Sequence, residues 1–501
     1  MGIEPRNFEI VTVDPETGGT VLLDSESHRL FTISNALRDQ LTRDNPVWPE
    51  EAEAELESLR ASGVLAPYNA RALSKADPLA GANLALNINL TAFCNLGCTY
   101  CFAEGGDYGR LKGKLSKDVD VDAIVAFIEE KTRPGETVRF EFFGGEPLMN
   151  FPVIEELCAR SLEMRARLGI EFIYRVSTNL TTKLTGRELS LFHRFRFIVS
   201  VSIDGGAKTH DRNRPRKSGR GSQEAIARNC EQVRAASEDI TLVARMTYVP
   251  YPDSSLVEDM RHLYDMNIFD WFQILPAAVA EENHAAVYGD AAFDTADLED
   301  RQAPYNAKIE AEFEALHDRY LDLFTPANRF KGILEVETVM RMILDGEFAN
   351  GFCSGGRNYF TFSPDKSIMP CHRLVGDEGF QVGDFHAGVD DAKVAAWRTG
   401  VNAQPVCSRC SIRYICGGGC KQENTIATGD INAPDPAKCA FQFALVRSAV
   451  RIIARGGEAL RARDRGRLSA LFVSCGRPMM PNNRKHAGSP DTSFEHLRLL
   501  A

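Results

Sequence analysis

Short apolar runs broken by turn residues open the chain. "FEIVTV", "TVLLD" and "HRLFTI" read as β-strands, with "DPETGG" as turn chemistry between the first two. Two stretches of helical pattern follow, "SNALRDQLTR" and "PEEAEAELESLRASG". Ser34 is a good N-cap for the first, and Gly63 ends the second. Three strands and two helices predict a compact winged-helix-like unit over residues 1–75. The acidic positions Glu51, Glu53, Glu55 and Glu57 read as a solvated helix face.

From 84 to 276 strand-like and helix-like segments alternate. The strands are "LALNINL", "TVRFEFF", "IEFIYRVS", "RFIVSVSI", "ITLVARMTYV" and "FDWFQILP". The helical runs between them include "DVDAIVAFIEEK", "FPVIEELCARSLEMRARLG", "TGRELSLFHR" and "EAIARNCEQVRAASE". This alternation predicts an α/β fold with a parallel sheet and crossover helices. Six units give a partial (β/α)6 barrel or an open sheet, since a closed barrel takes about eight. Helical sequence over 277–349 then bridges to a cysteine-rich region, 350–445. Residues 446–501 read as a basic helix and a tail, with "RPMMPNNRKHAGSPDTS" disordered.

Composition narrows the class. The chain has 501 residues, 44% hydrophobic and 25% charged, as expected of a soluble globular protein. No apolar stretch approaches the roughly 20 residues of a membrane span. The N-terminus lacks a basic start followed by an apolar core, so the expected location is cytoplasmic, with no membrane partner. A net charge of −11 argues against non-specific nucleic-acid binding. Thirteen cysteines, mostly clustered, point in that compartment to metal or redox chemistry rather than disulfides.

"CNLGCTYC" places Cys94, Cys98 and Cys101 directly after the first barrel strand, where a βα loop carries functional side chains. Three thiolates can hold three irons of a four-iron cubane and leave the fourth open. Structural zinc wants four ligands, and no nearby His or Cys completes this set. Tyr100 and Phe102 flank the last cysteine and could shield a cluster and stack on a purine. Other strand ends agree. "GGEP" (Gly144, Gly145, Glu146, Pro147) allows close backbone approach and offers a carboxylate for an amino group. Ser177 and Asn179, then Ser202 and Asp204, suit ribose hydroxyls, and Arg245 could hold a ligand carboxylate.

Together, CxxxCxxC after the first strand, "GGEP" after the second and the polar sets beyond resemble the radical S-adenosylmethionine (radical SAM) superfamily over about 84–276. The resemblance implies that the three cysteines hold a four-iron cluster whose open iron chelates the methionine moiety. One-electron cleavage then gives a 5′-deoxyadenosyl radical that abstracts hydrogen from the substrate. It also implies a reducing electron donor such as a flavodoxin or ferredoxin.

Downstream stand Cys353, Cys371, Cys407, Cys410, Cys416, Cys420 and Cys439. CxxCxxxxxCxxxC with a cysteine on either side is similar to the SPASM domain that follows many radical SAM barrels. That resemblance groups Cys407, Cys410, Cys416 and Cys439 around one auxiliary cluster and Cys353, Cys371 and Cys420 around another, for three [4Fe-4S] clusters in all. Two cubanes need eight thiolates and seven are present, so one iron should lack a cysteine. The spacings also permit zinc. The family pattern has a glycine where this chain has Lys366. Cys158 and Cys230 read as buried hydrophobes on helices, and Cys475 shows no partner.

The N-terminal unit resembles the recognition element of maturases of ribosomally made peptides, in which an extended leader adds as a strand to the sheet. The full order, with "CFAEGGDYG", "FFGGEPLMNF" and "DRNRPRKSGRGS", is most similar to maturases that form thioether cross-links in cysteine-rich precursor peptides. The runner-up is a sulfatase-activating type of maturase that oxidises a Cys or Ser residue. A different peptide cross-link, such as carbon–carbon, is a further alternative.

Overall fold

The protein is described from a computed structural model covering residues 7–14, 19–43, 46–65, 84–109, 111–277, 298–461 and 479–480. Cys475 and most of the C-terminal tail lie outside the described residues, as do residues 66–83 and 278–297.

Strands β1 (Phe8–Asp14), β2 (Gly19–Asp24) and β3 (Leu30–Ile33) form an antiparallel sheet in that order. Helices α1 (Asn35–Thr42) and α2 (Glu50–Ala61) cover one face, and the Ser34 side chain accepts from Leu37 N at 3.0 Å as the N-cap. The strand period of two splits the sheet. Leu22, Phe31 and Ile33 pack with Leu37, Leu41 and Leu56 under the helices, while Val11, Val13, Val21, Leu23 and Leu30 join the main core of the protein. The unit is thus fused to the rest of the chain through its second face.

All six expected barrel strands are present: β4 (Leu84–Asn89), β5 (Thr137–Phe143), β6 (Glu171–Thr178), β7 (Ile198–Ser202), β8 (Thr241–Tyr248) and β9 (Trp271–Pro276), each parallel to the next. Helices α3 (Val119–Lys131), α4 (Phe151–Leu168), α5 (Gly186–Arg194), α6 (Ala207–Asn213), α7 (Gln223–Ala236) and α8 (Leu256–Asp265) make the crossovers. Outward residues such as Phe140, Phe142, Val199 and Leu242 are fully buried against them.

The sheet does not stop at six strands. β11 (Tyr359–Phe362) pairs parallel with β4, and β12 (Ser367–Met369), β13 (Gly383–Asp384) and β14 (Gly388–Val389) continue antiparallel, giving ten. The cysteine-rich region therefore shares hydrogen bonds with the barrel edge. Lys366, in the β11–β12 turn, has φ 70°, the left-handed conformation that glycine adopts most readily. Its ammonium pairs with Asp120 at the start of α3, 2.5 Å away, tying the turn to the barrel. Helices α9 (Leu298–Asp318) and α10 (Leu334–Asp345) bridge the two regions. Short α11 (Lys421–Thr428) precedes the long α12 (Pro436–Arg461), which packs on α9, α10 and β1. One stretch expected to be disordered is not wholly so: Met479–Met480 form a short strand, β15, paired with β10 (Phe348–Ala349). No helix among the described residues is long and apolar enough to cross a membrane.

His317 on α9 is buried, with neither ring nitrogen hydrogen-bonded. Burial lowers its pKa to about 3, against an opposing pull from Asp318. The unfolded chain therefore takes up this proton first as pH falls below about 6.5, and stability is lost toward pH 3. His317→Leu is expected to stabilise the fold by on the order of 1 kcal/mol at neutral pH. The gain should be larger near about pH 5, because the variant lacks the proton-linked loss. Thermal midpoints of both proteins across that range check it.

Candidate functional site

One cavity of about 290 Å³ joins the first cysteine loop to the second cysteine-rich region. Cys94, Cys98 and Cys101 line one wall, and Cys416, Cys420 and Cys439 line another. The first loop is held by close backbone packing. Gly145 N donates to Thr91 O at 2.8 Å, and Glu146 N to Phe93 O at 2.7 Å. A Cβ on Gly145 would fall 2.2 Å from Phe93 O. One on Gly144, at φ +127°, would fall 2.4 Å from Asn89 Oδ1. Only glycine lets the β5 end approach this closely.

Backbone and side-chain donors point at the sulfurs. Leu96 N lies 3.5 Å and Asn179 Nδ2 3.6 Å from Cys94 Sγ, and Gly105 N lies 3.4 Å from Cys101 Sγ. Burial pushes Cys94 up to about 11 and Cys98 up to about 12. A thiolate in this setting needs a cation against it, which a metal centre supplies. Three unbridged cysteines with N–H donors toward two of their sulfurs fit a three-thiolate iron–sulfur group. No three His, Cys, Asp or Glu side chains among the described residues converge on a single metal ion.

The expected ligand residues divide into two sets. Tyr100, Phe102, Gly144, Gly145, Ser177, Asn179, Ser202 and Arg245 all line the cavity, with Ser202 and Arg245 opposite each other in the β7–β8 register. Glu146 and Asp204 do not, and their carboxylates are taken up by the protein's own donors. The Glu146 carboxylate accepts from Thr178 Oγ1 at 2.6 Å, Asn179 N at 2.7 Å and Leu148 N at 3.1 Å. Burial raises it to about 7, against those three hydrogen bonds. Asp204 accepts from the Tyr100 hydroxyl, from Arg214 Nε at 3.0 Å and from Thr247 N at 2.9 Å. Both carboxylates brace the loops that carry the lining residues.

In the second region, charges of Cys420 and Cys353 act on Cys371, adding to the upward push of burial. Those of Cys416, Cys439 and Cys410 act on Cys407, which burial first of all raises to about 12. Cys371 thus has Cys353 and Cys420 near it, and Cys407 has Cys410, Cys416 and Cys439. Cys353, Cys371, Cys407 and Cys410 lie off the cavity wall. Between the barrel and this region stand residues the sequence did not single out. His372 Nδ1 lies 2.8 Å from the Tyr359 hydroxyl, and its ring packs on Phe143. Arg373 lies over the Phe102 ring and pairs with Glu423 at 2.8 Å, and Lys438 reaches the same carboxylate at 3.4 Å. Arg373 and Glu423 are 50 positions apart, so no local pattern marks them.

Comparison with known proteins agrees with this geometry. Residues 88–263 match the radical SAM superfamily. The chain contains a radical SAM domain. It is therefore an S-adenosylmethionine-dependent iron–sulfur enzyme. The chain is 23% identical over 355 residues to the cysteine-type anaerobic sulfatase-maturating enzyme of Clostridium novyi, covering 66% of this chain and 85% of that one. It is 32% identical over 134 residues to the serine-type enzyme of Bacteroides thetaiotaomicron, 26% of this chain and 31% of the other. In fold the radical SAM chain is similar to anSMEcpe with bound AdoMet and Kp18Cys peptide. There the TM-score is 0.58 and identity 17%, covering 75% of this chain and 99% of that one.

Proposed function

We propose that this radical SAM enzyme is a maturase that forms thioether cross-links in a ribosomally made, cysteine-rich precursor peptide. The observation that carries the reading is the shared cavity, where a peptide residue would meet the Cys94–Cys98–Cys101 wall and the Cys420 wall together. With iron–sulfur groups and S-adenosylmethionine bound, the site supplies one-electron hydrogen abstraction. Cys94, Cys98 and Cys101 would hold the first group. Gly144 and Gly145 would admit the methionine backbone, and Ser177, Asn179 and Ser202 would bind ribose, with Tyr100 and Phe102 beside the purine.

Cys407, Cys410, Cys416 and Cys439 would close one auxiliary group, and Cys353, Cys371 and Cys420 would hold the other with one iron free of cysteine. Cys420 lines the cavity, and would bring that group within reach of a precursor thiolate. The leader would add to the sheet at β3. The other end strand, β1, is covered by α12, where Arg451 Nε donates to Thr12 O and Arg455 to Val13 O.

Similarity to the Clostridium novyi enzyme over 85% of its length favours a second reading, oxidation of a Cys or Ser side chain in a protein. Product analysis separates the two. The loaded enzyme is incubated with a cysteine-rich precursor encoded beside it and with a sulfatase-derived Cys peptide. The first reading expects the precursor to lose a pair of hydrogens per link, keep its sulfur and lose alkylatable thiol. Conversion of only the sulfatase peptide, with loss of sulfur to an aldehyde, would replace it by the second.

A further inference from the structure

We propose that Lys421 is the positive charge shared by the two auxiliary cysteine sets, a positioning residue that raises the reduction potential of the groups they would hold. This rests on the auxiliary iron–sulfur reading and adds to it a residue that is not a metal ligand. Lys421 opens α11 directly after Cys420, and only 9% of it is exposed. Its ammonium donates to Asn432 Oδ1 at 3.0 Å, and it makes no ion pair among the described residues. An ammonium moved from water onto one neutral amide is costly unless negative charge lies near it. The other cations beside these cysteines bring their own carboxylates. Arg373 and Lys438 share Glu423, and Arg413 pairs with Glu26.

The chain around Lys421 shows where that negative charge lies. Three glycines separate Cys416 from Cys420, all with positive φ. A Cβ on Gly417 would fall 2.7 Å from Phe352 N, in the residue before Cys353. One on Gly418 would fall 2.7 Å from Gln404 Cδ, and Gln404 O accepts from Ser408 N at 3.0 Å, next to Cys407. The glycine turn is thus wedged between the segment that carries Cys353 and the segment that carries Cys407. Lys421 leaves that turn one residue after Cys420. Burial works hardest against its charge; among the neighbours, Cys353 favours it most, followed by the exposed Asp430 and by Cys407. Arg357 is the like charge that opposes. Cys407 feels Lys421 in return.

Charge beside an iron–sulfur group is one of the factors that set its potential. A cation next to both sets makes each a better electron acceptor, and thioether formation calls for one. The carbon radical brings one electron and the precursor thiolate a lone pair, so the new C–S bond takes two electrons of three. The third passes to the auxiliary iron–sulfur group, which is reduced. The thiol proton goes to solvent when the thiolate forms. Lys421 does not line the cavity, so it acts on this step through its charge alone.

The test poises anaerobically loaded enzyme at a series of potentials and follows its iron–sulfur signals by electron paramagnetic resonance. In Lys421→Met the reduction equilibrium of the auxiliary groups should fall by about tenfold, the worth of one nearby charge in protein, or about 59 mV for one electron. The signal of the Cys94–Cys98–Cys101 group should stay at its potential. Lys421→Gln keeps a donor for Asn432 without the charge and should show the same fall. Lys421→Arg keeps the charge and should behave like the unaltered enzyme. Unmoved auxiliary potentials in both neutral variants overturn the proposal, as does an equal shift at all three groups or a matching shift in Lys421→Arg. A shift in only one neutral variant overturns it by tying the effect to packing or to the hydrogen bond. Loss of auxiliary iron from both neutral variants overturns it too, since the charge would then serve assembly rather than potential. An unaltered enzyme with no auxiliary iron–sulfur signal sinks the underlying reading instead, a separate result.

Discussion

Replacing Cys94, Cys98 and Cys101 together by Ala is expected to remove about four irons per chain and to abolish 5′-deoxyadenosine formation. The three thiols share one loop and one cavity wall, so removing them together leaves that wall without a thiolate to hold the group. The auxiliary sets lie on other segments, so their iron should remain. About two-thirds of the iron of the unaltered protein should therefore be retained if all three groups are four-iron clusters. Iron analysis and the visible spectrum of anaerobically reconstituted protein read the first outcome, and chromatography of the nucleoside product reads the second. Unchanged iron in the triple variant, with an intact thermal transition, would remove this loop from the metal site.

The local signals in the sequence carried far. Short apolar runs marked every barrel strand, and helical runs with a cap at Ser34 and a stop at Gly63 marked both N-terminal helices, because each element is specified by its own neighbours. Position after a strand also marked the first cysteine loop and the polar strand ends, whereas the grouping of the other seven cysteines came from the resemblance alone. Direction was harder to read. "GGEP" and "SID" place acids at the functional end of the sheet. Whether Glu146 and Asp204 turn toward a ligand or toward Thr178, Thr247 and Arg214 depends on strands brought beside them by the fold. The same holds for Arg373 and Glu423, and for β11 beside β4, whose partners are far apart in sequence. Strand pairing at such range has no periodic signature.

The N-terminal unit shows the largest consequence of that kind. Read from sequence it is a separable recognition module. In the structure Arg413, between Cys410 and Cys416, is fully buried and pairs with Glu26 of that unit. Its guanidinium also donates to Cys410 O at 2.8 Å and Asn7 Oδ1 at 3.2 Å. Beside it, Ser411 Oγ donates to Glu9 Oε2 at 3.0 Å, and Arg447 pairs with the same carboxylate at 2.9 Å.

Glu26→Ala leaves the Arg413 charge buried without its carboxylate and is expected to destabilise the protein by about 3–5 kcal/mol. Because Arg413 braces the loop of the four-cysteine set, that set should also lose iron more readily to a chelator, while the Cys94 loop does not. Pairing Glu26→Leu with Arg413→Met should recover most of the stability, since an apolar pair removes both charges at once. Denaturant midpoints of the three variants and the rate of iron release test this. A Glu26→Ala protein that unfolds and releases iron like the unaltered one would show the pair to be dispensable. The N-terminal unit would then be separable after all, and deleting it would become a clean test of leader binding.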